Sequence, residues 1–137
     1  MALFVAVSLT LSLTVVLTLA SAKRASALCG TTGFEGTWSS SDGRLSEIDV
    51  WPGAGCNLYA RAWSTCENDP TSDCSWGTKK LSATPDPKFR FFYYNWSDAD
   101  EVLQLTLKND RTHLSVWDHT DYHSGQKSSI AVSMVKD

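Results

Sequence analysis

The residues with the most chemical potential in this chain are four cysteines, three histidines and a scatter of carboxylates. Cys66 and Cys74 bracket the acidic, turn-rich stretch 67–73, and Trp63 and Trp76 stand just outside it. Three chemistries fit cysteines beside acids: zinc thiolate ligation, calcium ligation by the acids, and disulfide formation. Zinc sites space their ligands as C-x2-C or H-x3–5-H. Here seven residues separate Cys66 from Cys74, and none is histidine. His119 and His123 have an H-x3-H spacing, but they fall in a loop rather than on a helix. Calcium loops follow a D-x-[DN]-x-[DN]-G order. Glu67, Asp69, Ser72 and Asp73 lack it and read as a solvated turn whose side chains cap backbone donors. No metal and no cofactor is expected.

Catalytic patterns are equally thin. There is no G-x-S-x-G, and cysteines held in disulfides are not nucleophiles. Asp98, Asp100 and Glu101 could supply a carboxylate pair for glycoside hydrolysis, but they cluster in a turn, where acids are common anyway. The chain is read as non-catalytic.

Disulfides are the better account of the cysteines. Cys29, Cys56, Cys66 and Cys74 all follow an apolar leader, and an even count in a small exported domain implies two bridges. Three pairings are open. Proximity favours Cys66–Cys74, leaving Cys29–Cys56 to tie the N-terminal arm to a strand. Closing the nine residues 66–74 stabilises the fold by about 2.6 kcal/mol on a chain-entropy argument.

The leader itself, Ala2–Ala20, carries no charge and is followed by "ASA" at 20–22 and again at 25–27. That predicts a signal peptide over 1–22, with cleavage after Ala22 or as late as Ala27. Lys23 and Arg24 follow the apolar run instead of preceding it, an order that also fits an uncleaved anchor. After cleavage, one domain over 28–137 and no membrane association are expected. The net charge is −3, or −5 once Lys23 and Arg24 are gone and ten basic residues face fifteen acids. Neither value favours nucleic acid, which wants a basic face.

The elements that would position these residues are strands. Beyond the leader no long helical period exists. Short β-prone runs recur roughly every ten residues, at 34–40, 45–51, 56–64, 76–84, 88–96, 101–107, 112–118 and 129–135. Asp42-Gly43, Pro52-Gly53, Pro85 and Pro87 mark the breaks. All links are short except 65–75 and 119–128. The expected fold is all-β, an eight-stranded antiparallel up-and-down barrel. Leu103, Leu105 and Leu107 share one face, and so do Leu114, Val116 and Asp118. The run 88–96 is aromatic on both faces, so the barrel interior is either open or filled by Phe89, Phe91, Tyr93 and the leucines.

Six tryptophans are many for so short a chain, and they narrow the choice of function. Trp38 is expected in the core. Trp63, Trp76, Tyr94, Trp96 and Trp117 sit near strand ends and are the candidate ligand contacts, suited to sugar stacking or a protein partner. Asn95-Trp96-Ser97 is a glycosylation sequon, so Asn95 is a candidate modification site.

"GTW", residues 36–38, at the head of a strand meander resembles the G-x-W start of the lipocalin and avidin-like barrels, the calycin group. The resemblance implies that Trp38 closes one barrel end beside a late basic residue, Lys136 or Lys127. It transfers no ligand contact. "AWSTCENDPTSDCSWG" is similar to a W-G-x-C-x-P-T-D-C-D-W-G segment in a set of small secreted proteins of uncharacterised function. These tend to carry D-x-S-G-R where this chain has "DYHSGQK" at 121–127. That likeness implies export and a shared β fold. The resulting expectation is a secreted, extracellular binding module for a carbohydrate or small apolar molecule, with oligomers open. The alternatives are a protein-directed inhibitor, for which small G-x-W barrels offer a family precedent and whose probe would be the 65–75 loop, and a small hydrolase.

Overall fold

The computed structural model describes residues 29–137; the leader and its cleavage points lie outside the described residues. Nine strands build one antiparallel sheet within Thr31–Asp137. They are β1 (Gly36–Ser39), β2 (Glu47–Pro52), β3 (Leu58–Cys66), β4 (Asp69–Lys80), β5 (Ser82–Ala83), β6 (Phe89–Asn95), β7 (Ala99–Leu107), β8 (His113–Tyr122) and β9 (Lys127–Lys136). The order across the sheet is β4-β3-β2-β1-β9-β8-β7-β6-β5. Consecutive strands pair everywhere except β4 with β5, and the pairing of strands not consecutive in sequence is β1 with β9, where Trp38 faces Lys136 and Ser39 faces Val135.

Two expectations change. There are nine strands rather than eight, and the sheet curls into a half-barrel instead of closing. The tract 76–84 explains both. β4 ends against β3 at Lys80, the Leu81 amide donates to the Leu58 carbonyl at 2.8 Å, and the chain then pairs with β6 as β5. Two strands consecutive in sequence therefore end the sheet at opposite edges, and no ladder joins those edges. The long links also shorten. β3 and β4 extend to a two-residue turn at Glu67-Asn68, and 119–128 is strand apart from the turn at 123–126. Gly125, at φ +95°, supplies the left-handed backbone of that turn, and its amide donates to the Tyr122 carbonyl.

The concave side holds the core. Period-two alternation sends Leu103, Leu105 and Leu107 of β7 and Leu114 and Val116 of β8 inward, with Ile48, Ala60, Ala62, Val132 and Met134. β6 contributes Phe92 and Tyr94, not the opposite face. Phe91 is only half-buried and Tyr93 is 53% exposed. The interior is filled. Each fully buried Leu, Ile or Phe contributes about 1.5–3 kcal/mol relative to an exposed one.

Tyr94 shows how far the sheet curls. From β6 its hydroxyl donates to the Gly77 carbonyl of β4 at 2.7 Å and accepts the Ala62 amide of β3 at 3.2 Å. It thus links strands near the two ends of the sheet order. At one end of the half-barrel Trp38, wholly buried, donates its indole N–H to the Phe34 carbonyl. Lys136 Nζ lies 4.8 Å from the Trp38 ring centroid and donates to the Gly33 carbonyl. Of the two late lysines, Lys136 is the one beside Trp38.

Cys66 and Cys74 are bonded, with Cα atoms 5.1 Å apart. Cys29 and Cys56 are also disulfide-bonded, and no cysteine is free. Among the described residues no helix is long and apolar enough to cross a membrane.

Candidate functional site

At the end away from Trp38, β3 and β4 project as a ribbon, and the turns 40–46, 96–98 and 123–126 gather beside it. Three of the sequence-predicted aromatics meet here. Trp76 of β4 points to the concave side, and its indole N–H donates to Ser64 Oγ at 2.8 Å. It packs edge-on against Tyr94, 5.6 Å between centroids, and against Trp96, 6.2 Å. Trp96, just past β6, stacks on Tyr94 with centroids 5.2 Å apart and planes 9° from parallel. Tyr94 is 1% exposed, so it backs Trp96 rather than offering a surface, a correction to its expected role as a ligand contact. Trp96 is 38% exposed.

Beneath Trp96 lies a feature that pattern-reading passed over. β7 and β8 each place one carboxyl on the inward face, Glu101 and Asp118, both buried. Glu101 Oε2 accepts the Trp96 indole N–H, and its Oε1 accepts the Thr120 hydroxyl at 3.3 Å. Asp118 Oδ1 is buried with no donor facing it. Burial, then the hydrogen bond and negative charge of Glu101, push the Asp118 carboxyl up to about 8. Arg44, from the β1–β2 turn, pulls weakly in the opposite sense, while its guanidinium is ion-paired to Asp42 at 2.7 Å. Two carboxylates cannot both ionise at such close quarters out of water. At neutral pH Asp118 is therefore the protonated partner and donates to Glu101. Asp118 Oδ1 is left without a partner among the described residues, and what the pair does chemically is hold Trp96.

The signal was present in the alternation. Asp118 is in phase with Leu114 and Val116, and Glu101 with Leu103, Leu105 and Leu107. An acid continuing an apolar face is a buried acid. The sequence had instead suggested grouping Glu101 with Asp98 and Asp100, which stay exposed in and beside the turn.

The other predicted contacts lie elsewhere. Trp63 is on the convex face, its N–H donating to Asp49 Oδ2 at 3.2 Å. Arg61 lies 5.8 Å from its ring and 5.7 Å from that of Trp51. Trp63 and Trp76 thus flank opposite faces of the ribbon. Trp117, also convex and 40% exposed, stacks on His119 with centroids 4.8 Å apart. Asn95 is exposed on the convex side at the end of β6. Asp69 is engaged within its turn, accepting from the Thr71 amide and from the Thr71 and Ser72 hydroxyls. His119 and His123 approach different acids, Asp121 and Asp100, each at 3.4 Å. Among the described residues no group of three or more His, Cys, Asp or Glu is arranged to hold a metal ion.

No protein-family model matches this chain, and neither a curated protein nor a solved structure matches it.

Proposed function

We propose that this chain is an exported, non-catalytic carbohydrate-binding module whose ligand lies on the rim against Trp96. One observation carries the reading. Trp96 has one face stacked on a buried tyrosine and its N–H tied to a buried carboxylate, and it remains 38% exposed. A platform held in place before binding loses little entropy on binding, and its flat π surface suits the C–H face of a sugar ring. The filled interior favours the rim over the lumen and a sugar over an apolar guest. Export is supported by the leader and by four oxidised cysteines. The Trp38–Lys136 contact supports kinship with the G-x-W barrels.

Tryptophan emission across a panel of neutral oligosaccharides tests this. At least one is expected to shift the emission and to bind at least tenfold more weakly to Trp96→Ala, while Trp117→Ala leaves affinity unchanged. A silent panel, or an unaffected Trp96→Ala, ends the reading.

A second reading rests on the ribbon. Asp69–Ser75 are all exposed, and the Cys66–Cys74 bridge closes the turn. A rigid projecting hairpin is how a protein-directed inhibitor would engage a target cleft. Replacing 67–73 by a short Gly-Ser turn would then abolish inhibition without unfolding the barrel.

A further inference from the structure

The end of the half-barrel around Trp38 differs from the aromatic rim in charge. Asp42, Glu67, Asp69, Asp73, Asp98 and Asp121 lie at or near the rim, and the cations there are ion-paired: Arg44 to Asp42 and Lys127 to Asp121. The strand register places the opposite charge at the other end. Lys80 ends β4, Lys88 and Arg90 flank the start of β6, and Lys108 and Arg111 sit in the β7–β8 turn. None of these five is within ion-pair distance of a carboxylate among the described residues. The acids at this end have local partners instead: Asp137 accepts the Ser39 hydroxyl, and three others are engaged by turns. Glu35 accepts the amides of Thr32 and Gly33, Asp86 that of Lys88, and Asp110 those of Thr112 and His113.

The cations border two grooves. One, of about 410 Å³, has Lys80 and Arg90 on its walls, hydroxyl and amide groups from Thr32, Asn57 and Ser82, and a floor of Leu58, Leu81 and Ala83. The second, of about 240 Å³, is lined by Lys88, Lys108, Arg111 and Asn109. Thr32 lines both, so the grooves adjoin. Arg90 is held ready: its Nη1 donates to the Phe89 carbonyl at 2.9 Å, and its guanidinium lies 5.3 Å from the Phe34 ring centroid.

We propose that these adjoining grooves form a binding face for an anionic polysaccharide, a sulfated or uronate-bearing strand whose charges meet Lys80, Arg90, Lys88, Lys108 and Arg111. The mixture of cations with hydroxyl and amide groups is what an acidic sugar requires. Arginine meets sulfate or carboxylate with paired hydrogen bonds, and the neutral polar groups meet ring hydroxyls. Single-stranded nucleic acid is disfavoured, since among the described residues no aromatic side chain lines either groove to stack a base. The site is independent of the rim and stands or falls apart from the function proposed there.

The disulfide-intact mature chain is titrated with heparin and with polygalacturonate as the two anionic sugars. Neutral dextran, a single-stranded DNA 20-mer and anionic phosphatidylserine vesicles are the controls. Binding to at least one acidic polysaccharide is expected, weakening more than tenfold between 50 and 300 mM NaCl, because each displaced counterion opposes rebinding. Lys80→Ser/Arg90→Gln is expected to lose at least tenfold in affinity. Lys88→Ser/Lys108→Ser, which leaves the Arg90–Phe34 packing intact, should lose severalfold. Asp98→Asn should lose nothing. The proposal is overturned if neither polysaccharide binds at 50 mM salt, or if both double variants bind like the parent. It is also overturned if DNA or vesicles bind as tightly as the sugars, or if the cations prove to hold a second copy head-to-tail, seen as a dimer that both double variants dissolve.

Discussion

Trp96 and Glu101, five residues apart across the β6–β7 turn, are joined by a hydrogen bond from an exposed indole to a buried carboxylate. The bond ties the one surface-facing ring of the rim cluster to the polar pair inside the sheet, so the rim's order depends on the carboxyls beneath it. Glu101→Ala should leave Trp96 stacked but mobile. Sugar affinity is expected to fall by about 0.5–1.5 kcal/mol, the cost of ordering one side chain on binding, with the enthalpy little changed. Calorimetry of the parent and the variant separates the two contributions.

Stability should fall with rising pH on account of Asp118. Its carboxyl is raised from an ordinary value near 3.8 to about 8, so between those values the folded chain holds a proton that the unfolded chain releases. Folding is then increasingly opposed as pH climbs from about 4 to about 8, and the effect levels off above. Asp118→Asn cannot titrate and should flatten that slope. Urea midpoints at pH 5 and pH 8 decide it: a parent no more pH-sensitive than Asp118→Asn across this window would show that the pair does not share a proton.

Tyr94→Phe keeps the ring that supports Trp96 and deletes the hydroxyl that spans β6, β3 and β4. The Ala62 amide and the Gly77 carbonyl lose their partner, which costs about 1–3 kcal/mol. Chemical denaturation should register this loss in the midpoint while the slope with denaturant stays constant.

Removing the ribbon's bridge by Cys66→Ser/Cys74→Ser is expected to cost up to about 2.6 kcal/mol by restoring freedom to the unfolded chain. Because that loss lowers the global unfolding free energy, the β7 and β8 amides that exchange through it should lose protection by the same amount, and the ribbon amides should exchange faster as well.

Lys136→Met would retain aliphatic packing over Trp38 but lose the ammonium above the ring and its bond to Gly33. A loss of about 1–2 kcal/mol is expected for a partly desolvated cation–π contact. Lys127→Met, at the other end of β9 in an exposed pairing with Asp121, should be nearly neutral in the same thermal melts.

How much was legible in the sequence varies by element. β7 and β8 could be read directly, because one face is apolar and the other polar, and alternation then fixes which side chains go inward. Their two carboxyls were legible by the same rule, since Glu101 and Asp118 fall in phase with leucines and valine. β4 was not legible over 69–75. That stretch is exposed on both faces and rich in turn formers, so it carries no alternation; its ladder is held by the bridge and by pairing with β3. β6 was ambiguous for the opposite reason. With aromatics on both faces, a shift of one residue exchanges the buried set for the exposed one without changing the pattern.

By itself the chain of residue types determined the strand rhythm, the oxidised cysteines, the burial of Trp38 and the inward faces of β7 and β8. Each of these depends on local spacing or compartment, and local spacing is written in one dimension. Tertiary structure alone decided that β4 and β5 end the sheet and leave it unclosed. It placed Trp63 and Trp76 on opposite faces, chose the Phe92–Tyr94 face of β6 for the core, and brought Trp96 over Glu101 and Asp118. These depend on how far a twisted sheet curls and on which strands meet after it does. That is a balance of packing between residues far apart in sequence, and no window of neighbouring residues contains it.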